Sequence, residues 1–157
     1  MPAHVRTLLV FGGAFDPPHR AHIELPALVR KRIGADWVLY VPTGRSPLKE
    51  RGQVAGFDDR VAMLCAAIDP GFASVSTIEG ERAGRTGVSA PSYTVDTLQE
   101  LREALPPSVR MRFLFGADQA AQFHKWRSAA EVSDLAPPVV MLRTPHETRA
   151  ALLDAMR

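Results

Sequence analysis

The strongest constraint on the fold lies at the start of the chain. Val5 to Phe11 is an almost unbroken apolar and β-branched run that ends in Gly12-Gly13, the pattern of a strand buried on both faces. From Ala21 to Arg32, residues Ile23, Leu25, Leu28 and Val29 fall near helical spacing, and Gly34 stands where a helix would stop. Asp36 to Val41 returns to a short apolar strand closed by Pro42. Strand, helix and strand in that order form a βαβ unit, whose crossover is right-handed in nearly all cases. The opening residues therefore commit the chain to a parallel sheet.

The alternation continues. Asp58 or Asp59 can cap a helix in which Val61, Leu64, Cys65 and Ile68 recur at helical spacing before Asp69-Pro70-Gly71 stops it. Ala73 to Ile78 reads as a third strand, and Ser92 as the cap of a helix holding Val95, Leu98, Leu101 and Leu105 that ends at Pro106-Pro107. Val109 to Phe115 is the fourth strand, residues 119–135 contain a helical stretch, Val139 to Leu142 is the fifth strand, and His146 to Met156 a last helix. Such a pattern predicts an α/β fold, a three-layer Rossmann-like sandwich with a mostly parallel five-stranded sheet. At 157 residues, with no repeat or linker to divide it, the chain is expected to form one domain.

Composition removes several function classes. With 46% hydrophobic and 23% charged residues the chain is neither disordered nor fibrous, and no apolar run approaches the ~20 residues that span a bilayer. The net charge of +2 is spread rather than gathered, which suits phosphorylated small molecules better than a nucleic-acid backbone. One cysteine, Cys65, excludes an internal disulfide and fits a reducing cytoplasm; its plain role is buried packing. Self-association is left open.

In parallel sheets ligands gather beyond the carboxyl ends of the strands. After the first strand the chain reads Gly12-Gly13-Ala14-Phe15-Asp16-Pro17-Pro18-His19-Arg20-Ala21-His22. The glycines let backbone approach an anion, and histidines three apart at a helix start put both imidazoles on one face beside free N–H groups. That is a phosphate site in outline. The bland alternatives are two surface histidines, or a zinc site for which no third ligand can be placed. Elsewhere Trp126 offers a flat face for stacking, although a tryptophan is more often core or rim packing. Tyr93 and Thr94 begin a helix whose N–H groups could hold a carboxylate, against the plain reading of a cap. Asp118, just past Gly116, could accept from ribose hydroxyls, or merely cap a helix.

The first of these segments resembles the GGxFDPxHxGH loop of the (H/T)xGH nucleotidyltransferases, with Ala21 where that family usually has glycine. Ser92-Tyr93-Thr94-Val95-Asp96-Thr97-Leu98 resembles the SYTxDTL element of the bacterial nicotinate-nucleotide adenylyltransferase branch. Phe115-Gly116-Ala117-Asp118 and Lys125-Trp126 resemble that branch's GAD and KW elements. The resemblance runs from Val5 to about Arg143 and implies a single nucleotidyltransferase domain over residues 1–157. The implied reaction is adenylyl transfer from ATP to nicotinate mononucleotide in NAD biosynthesis, giving nicotinate adenine dinucleotide and pyrophosphate, with Mg2+ carried by ATP. His19, His22 and Lys49 are implied as catalytic residues. Gly12, Gly13, Gly116 and Asp118 join the histidines around ATP, and Ala14, Phe15, Tyr93, Thr94 and Trp126 hold the acceptor. Lys49 ends Ser46-Pro47-Leu48-Lys49, similar to the family's PPHK loop with leucine in place of histidine, and Arg45 is a weaker cationic candidate. No protein metal ligand is implied. Asp96 and Thr97 read as structural, and Arg60 and Met63 as salt bridge and packing.

The family also carries an ISSTxIR motif after its fifth strand, and the sequence reaches Arg157 without it. The C-terminal part is thus short relative to the family, with a weaker grip on the triphosphate as the expectation. Two rival functions stand beside the adenylyltransferase: an enzyme for another phosphorylated acceptor such as phosphopantetheine, against which the SYTVDTL and Lys125-Trp126 elements speak, and a non-catalytic mononucleotide-binding relic.

Overall fold

The computed structural model describes residues 1–44, 54–86 and 91–141. Five parallel strands form one sheet, β1 (Thr7–Gly13), β2 (Trp37–Pro42), β3 (Ala73–Val75), β4 (Arg110–Gly116) and β5 (Pro138–Met141), in the order β3-β2-β1-β4-β5. The helices are α1 (Arg20–Ile33), α2 (Phe57–Ala67), α3 (Ile78–Thr86), α4 (Thr94–Ala104), α5 (Ala117–Ala120) and α6 (Ala129–Leu135).

Alternation along the strands sorts the core onto two faces of the sheet. Leu8 and Val10 of β1 join Met111, Phe113 and Phe115 of β4 under Val95, Leu98 and Leu101 of α4 and Val132 of α6. Leu9 and Phe11 join Val38, Tyr40 and Leu114 under Ile23 and Val29 of α1 and Leu64 of α2. The result is the expected three-layer α/β sandwich, with the sheet wholly parallel. Because the chain builds outward from β1 to β3 and then crosses to β4, the connections after β1 and β4 diverge to opposite faces. The crevice that a ligand needs opens between them.

Several local expectations are corrected. Helix α1 ends as foreseen at Gly34, which sits at φ +67°, but Leu28 is 61% exposed, so the apolar stripe is narrower than its spacing suggested. Cys65 is exposed, not buried, since only Leu64 of that turn reaches the core. β3 stops at Val75, and Ile78 opens α3, a helix absent from the sequence reading. Gly56 rather than an aspartate caps α2, and Tyr93 rather than Ser92 caps α4. The stretch 119–135 splits into α5, a 3₁₀ turn at Phe123–Lys125 and α6, divided at Ser128 with φ +52°. The expected helix from His146 to Met156, Leu142 and Arg143 lie outside the described residues.

Asp36, just before β2, ties the two strand starts together by accepting the N–H groups of Arg6 and Thr7, both at 2.8 Å. These two bonds hold its carboxyl below the usual carboxylate range, with the charges of His4 and Arg30 adding to the effect. A carboxyl depressed on folding stabilises above its unfolded value near pH ~3.9 and loses that contribution as pH falls through the folded value. Asp36→Ala is therefore expected to cost about 1–2 kcal/mol at pH 7 by urea denaturation, and to fall less steeply than wild type below pH ~4. Parallel acid limbs for the two proteins would remove Asp36 from the acid response.

Candidate active site

A cavity of about 450 Å³ opens at the carboxyl ends of β1 and β4. Gly12, Gly13, Ala14 and His22 form one wall; Tyr93, Thr94, Trp126 and Arg127 form the other, with Gly116 and Asp118 at the end of β4. Of the two glycines only Gly13 is a packing requirement, since a Cβ on Gly12 would meet the Phe113 ring at an ordinary 3.6 Å. A Cβ on Gly13 would stand 3.0 Å from the Phe15 ring, so a side chain there would compete with a buried aromatic. Phe15 holds φ +48°, a conformation bulky residues rarely adopt. Its ring is buried against Phe11, Tyr40 and His22, which offsets the strain. With the side chain in the core, what Phe15 can present to a ligand is backbone.

His19 is the N-cap of α1 and His22 its third residue. The His19 N–H donates to Nδ1 of His22 at 3.3 Å, and the rings stack with centroids 3.6 Å apart at 21°. A ring that accepts at Nδ1 carries its proton on Nε2 in the neutral form, so the donor of a neutral His22, a residue that lines the cavity, is Nε2. No acidic side chain occupies the first turn of α1, leaving the helix start open to an anion. His19 itself is exposed and is not among the residues that line the cavity.

The turn between β1 and α1 is braced from beneath. Arg60, 1% exposed, donates through Nη1 to the Ala14 carbonyl at 2.7 Å and through Nε to the Ala55 carbonyl at 3.3 Å. Asp16 accepts from the N–H groups of Val54 and Ala55 at 2.6 and 3.0 Å. Burial pulls the Arg60 pKa below its usual value, while the carboxylates of Asp16 and Glu79 pull it back. Arg60, expected to form a salt bridge, donates to two backbone carbonyls, and it fixes the candidate phosphate turn.

On the opposite wall, the Tyr93 backbone caps α4 and Thr94 starts it. Trp126 follows the 3₁₀ turn and packs among Phe113, Phe115 and Phe123, with ring centroids 5.4–6.1 Å away. Arg127 lies 4.8 Å over the Tyr93 ring and pairs with Asp96 at 3.6 Å. The buried Thr97 donates to Glu79 Oε1 at 2.7 Å, and the other oxygen of Glu79 accepts the Gly44 N–H at 3.0 Å. Asp96 and Thr97 thus take the structural places expected of them. Arg127 and Glu79 both line the cavity and were not foreseen. Arg127 could have been suspected from its place beside Trp126, whereas Glu79 sits on the helix that the sequence reading missed. Lys49, Arg45 and Leu48 lie outside the described residues.

Residues 10–155 match the cytidylyltransferase-like family. The chain belongs to that family. Within it, the chain falls in the nicotinate-nucleotide adenylyltransferase branch. It is 39% identical over 136 residues to a Tropheryma whipplei (strain Twist) protein named "Probable nicotinate-nucleotide adenylyltransferase", covering 87% of this chain and 69% of that one. A Streptomyces coelicolor relative of the same name is 39% identical over 137 residues, covering 86% and 69%. One from Dehalococcoides mccartyi (strain ATCC BAA-2100 / JCM 16839 / KCTC 5957 / BAV1) is 35% identical over 124 residues, covering 78% of this chain and 58% of its own length. The chain therefore spans between 58% and 69% of these relatives. Among solved structures, Plasmodium falciparum nicotinic acid mononucleotide adenylyltransferase in complex with NaAD superposes at TM-score 0.71 and 18% identity, over 96% of this chain and 71% of that one. Its complex with APC gives 0.67 and 19%, over 96% and 70%. At such identity these two speak for the fold, and they agree with the parallel sandwich.

Proposed function

We propose that this chain transfers the adenylyl group of ATP to nicotinate mononucleotide, in one nucleotidyltransferase domain over residues 1–157. One observation carries the reading: in a member of this branch, a single cavity sets a phosphate-suited wall, with Gly12, Gly13 and the imidazole of His22, opposite an aromatic wall with Trp126 and the start of α4. A phosphate oxygen of the mononucleotide attacks the α-phosphorus of ATP, a new P–O–P link forms, the α–β bond breaks, and pyrophosphate leaves with the electron pair. The acceptor brings its own nucleophile, so the protein's task is positioning and charge stabilisation.

His19 and His22 hold the ATP phosphates, with the backbone of Gly12 and Gly13 beside them, and Asp118 near Gly116 takes the ribose hydroxyls. Trp126 stacks on the pyridine ring, the N–H groups at Tyr93 and Thr94 receive its carboxylate, and Ala14 and Phe15 offer backbone to the acceptor. Lys49 is assigned charge on the transferring phosphoryl group by resemblance alone. Mg2+ enters as Mg-ATP. Among the described residues no three His, Cys, Asp or Glu side chains gather as a metal cage, and an ion arriving with the triphosphate takes its ligands from phosphate oxygens and water. Among the described residues no helix is long and apolar enough to cross a membrane. The exposed thiol of Cys65 suits a reducing cytoplasm.

The deciding experiment is pyrophosphate release with Mg-ATP and, in turn, nicotinate mononucleotide, nicotinamide mononucleotide and phosphopantetheine. The highest kcat/KM is expected with the first. A faster reaction with phosphopantetheine, or acceptor binding by calorimetry with no turnover on any acceptor, would replace this reading by one of its rivals. In the same assay Trp126→Ala should weaken nicotinate mononucleotide by roughly 1–2 kcal/mol and leave Mg-ATP unchanged. Loss on the ATP side instead would place Trp126 in the other half of the site.

A further inference from the structure

Pro26 lies inside α1, four residues after His22. In an α-helix the N–H of residue 26 closes the turn onto the carbonyl of residue 22, and proline has no N–H to give. The hydroxyl of Tyr40, from the neighbouring strand β2, donates to that same His22 carbonyl at 3.1 Å. We propose that Tyr40 is a positioning residue for His22, its phenol replacing the helix donor that Pro26 lacks and so fixing the turn that aims the imidazole into the cavity. This rests on the phosphate-binding role given to His22 above.

Three further observations support the assignment. Tyr40 is 2% exposed, where a phenylalanine would fill the same space without the cost of burying a hydroxyl. That cost is recovered only with a partner, and the partner taken is the carbonyl that the proline would otherwise leave without its usual donor. Burial pushes the phenol up to about 12, so it remains a donor across the working range. The Tyr40 ring also meets Phe15 at 5.9 Å, and Phe15 meets the His22 ring edge-on at 5.2 Å, so one side chain braces both the backbone and the ring of His22.

Removing only the hydroxyl isolates the bond, and removing the proline tests why the bond exists. In Pro26→Ala the helix regains an N–H for the His22 carbonyl, so the hydroxyl becomes redundant. Tyr40→Phe in the wild-type background should lower the melting midpoint by about 3–6 °C and kcat roughly three- to tenfold, with KM for nicotinate mononucleotide within about twofold of wild type. In the Pro26→Ala background, the same change should move neither quantity beyond about twofold in rate or ~1 °C. A merely structural tyrosine would give equal losses in both backgrounds and would overturn the proposal, as would unchanged kcat in Tyr40→Phe alone.

A third readout is independent of turnover: the ring Cε1–H resonance of His22 should shift in Tyr40→Phe and return to its wild-type position in the double variant. If the wild-type chain shows no adenylyl transfer, the function proposed above fails. The melting cycle and the His22 resonance then decide the Tyr40 proposal alone, and a resonance that ignores Tyr40→Phe sinks it.

Discussion

Replacing His22 by glutamine is expected to lower kcat and kcat/KM together by about 100- to 1,000-fold, the scale of losing one donor aimed at charge that develops in a phosphoryl-transfer transition state. Glutamine is the informative choice because His22 also helps cap α1 by accepting the His19 N–H at Nδ1. A glutamine at the third helical position can make the same reciprocal bond, so the helix start is retained while the imidazole is lost. His22→Ala removes both, and should add a stability loss of about 0.5–2 kcal/mol to the catalytic defect. His19→Ala should also reduce turnover, by a smaller factor, since its ring is exposed and acts partly by stacking on His22. Stopped assays at saturating Mg-ATP give kcat, and calorimetry gives ATP affinity. Turnover near wild type in His22→Gln would transfer the phosphate role to another group.

The strands were legible because their signals are local. Each apolar run is closed by Gly or Pro near its end, and each lies within a residue or two of its place in the sheet, apart from β3. α3 was not legible: Ile78–Thr86 carries two glycines and four charged residues, with no apolar stripe to mark it. Ser76 and Thr77 before it, with Ile78 at its first position, instead prolonged the third strand on paper. Leu28 and Cys65 failed for the opposite reason. Both fit helical spacing, but spacing says which residues share a face and not how wide a strip the sheet covers.

The candidate site divides in the same way. Gly12, Gly13, His22, Tyr93, Thr94, Asp118 and Trp126 sit in short motifs, and the fold brings them to one cavity. Arg60, Glu79 and Tyr40 act across 18 to 46 residues of sequence. Nothing in a helical Arg or a strand Tyr announces which distant carbonyl it will meet. That information exists only once β1, β2 and α2 are in register.

Arg60 carries the largest expected effect on the fold around the site. Arg60→Met keeps much of the side-chain volume but leaves the Ala14 and Ala55 carbonyls without their guanidinium donor and removes a positive charge that acts on Asp16 and Glu79. Losing a buried charged donor to two carbonyls, at about 1.5–3 kcal/mol for each charge-assisted hydrogen bond, costs about 3–5 kcal/mol in all. The expected result is a fall of that size in urea-unfolding free energy. Alongside it, if the function proposed above holds, KM should rise for both Mg-ATP and the mononucleotide, because Ala14 lies in the turn that lines the cavity. Arg60→Lys separates charge from geometry. A lysine keeps the cation but cannot reach two carbonyls with a rigid fork, so it should recover part of the stability and less of the affinity. Should Arg60→Met instead unfold with wild type and bind both nucleotides normally, the β1–α1 turn holds its shape without the brace, and its order comes from the Phe15 ring packed beneath Gly13.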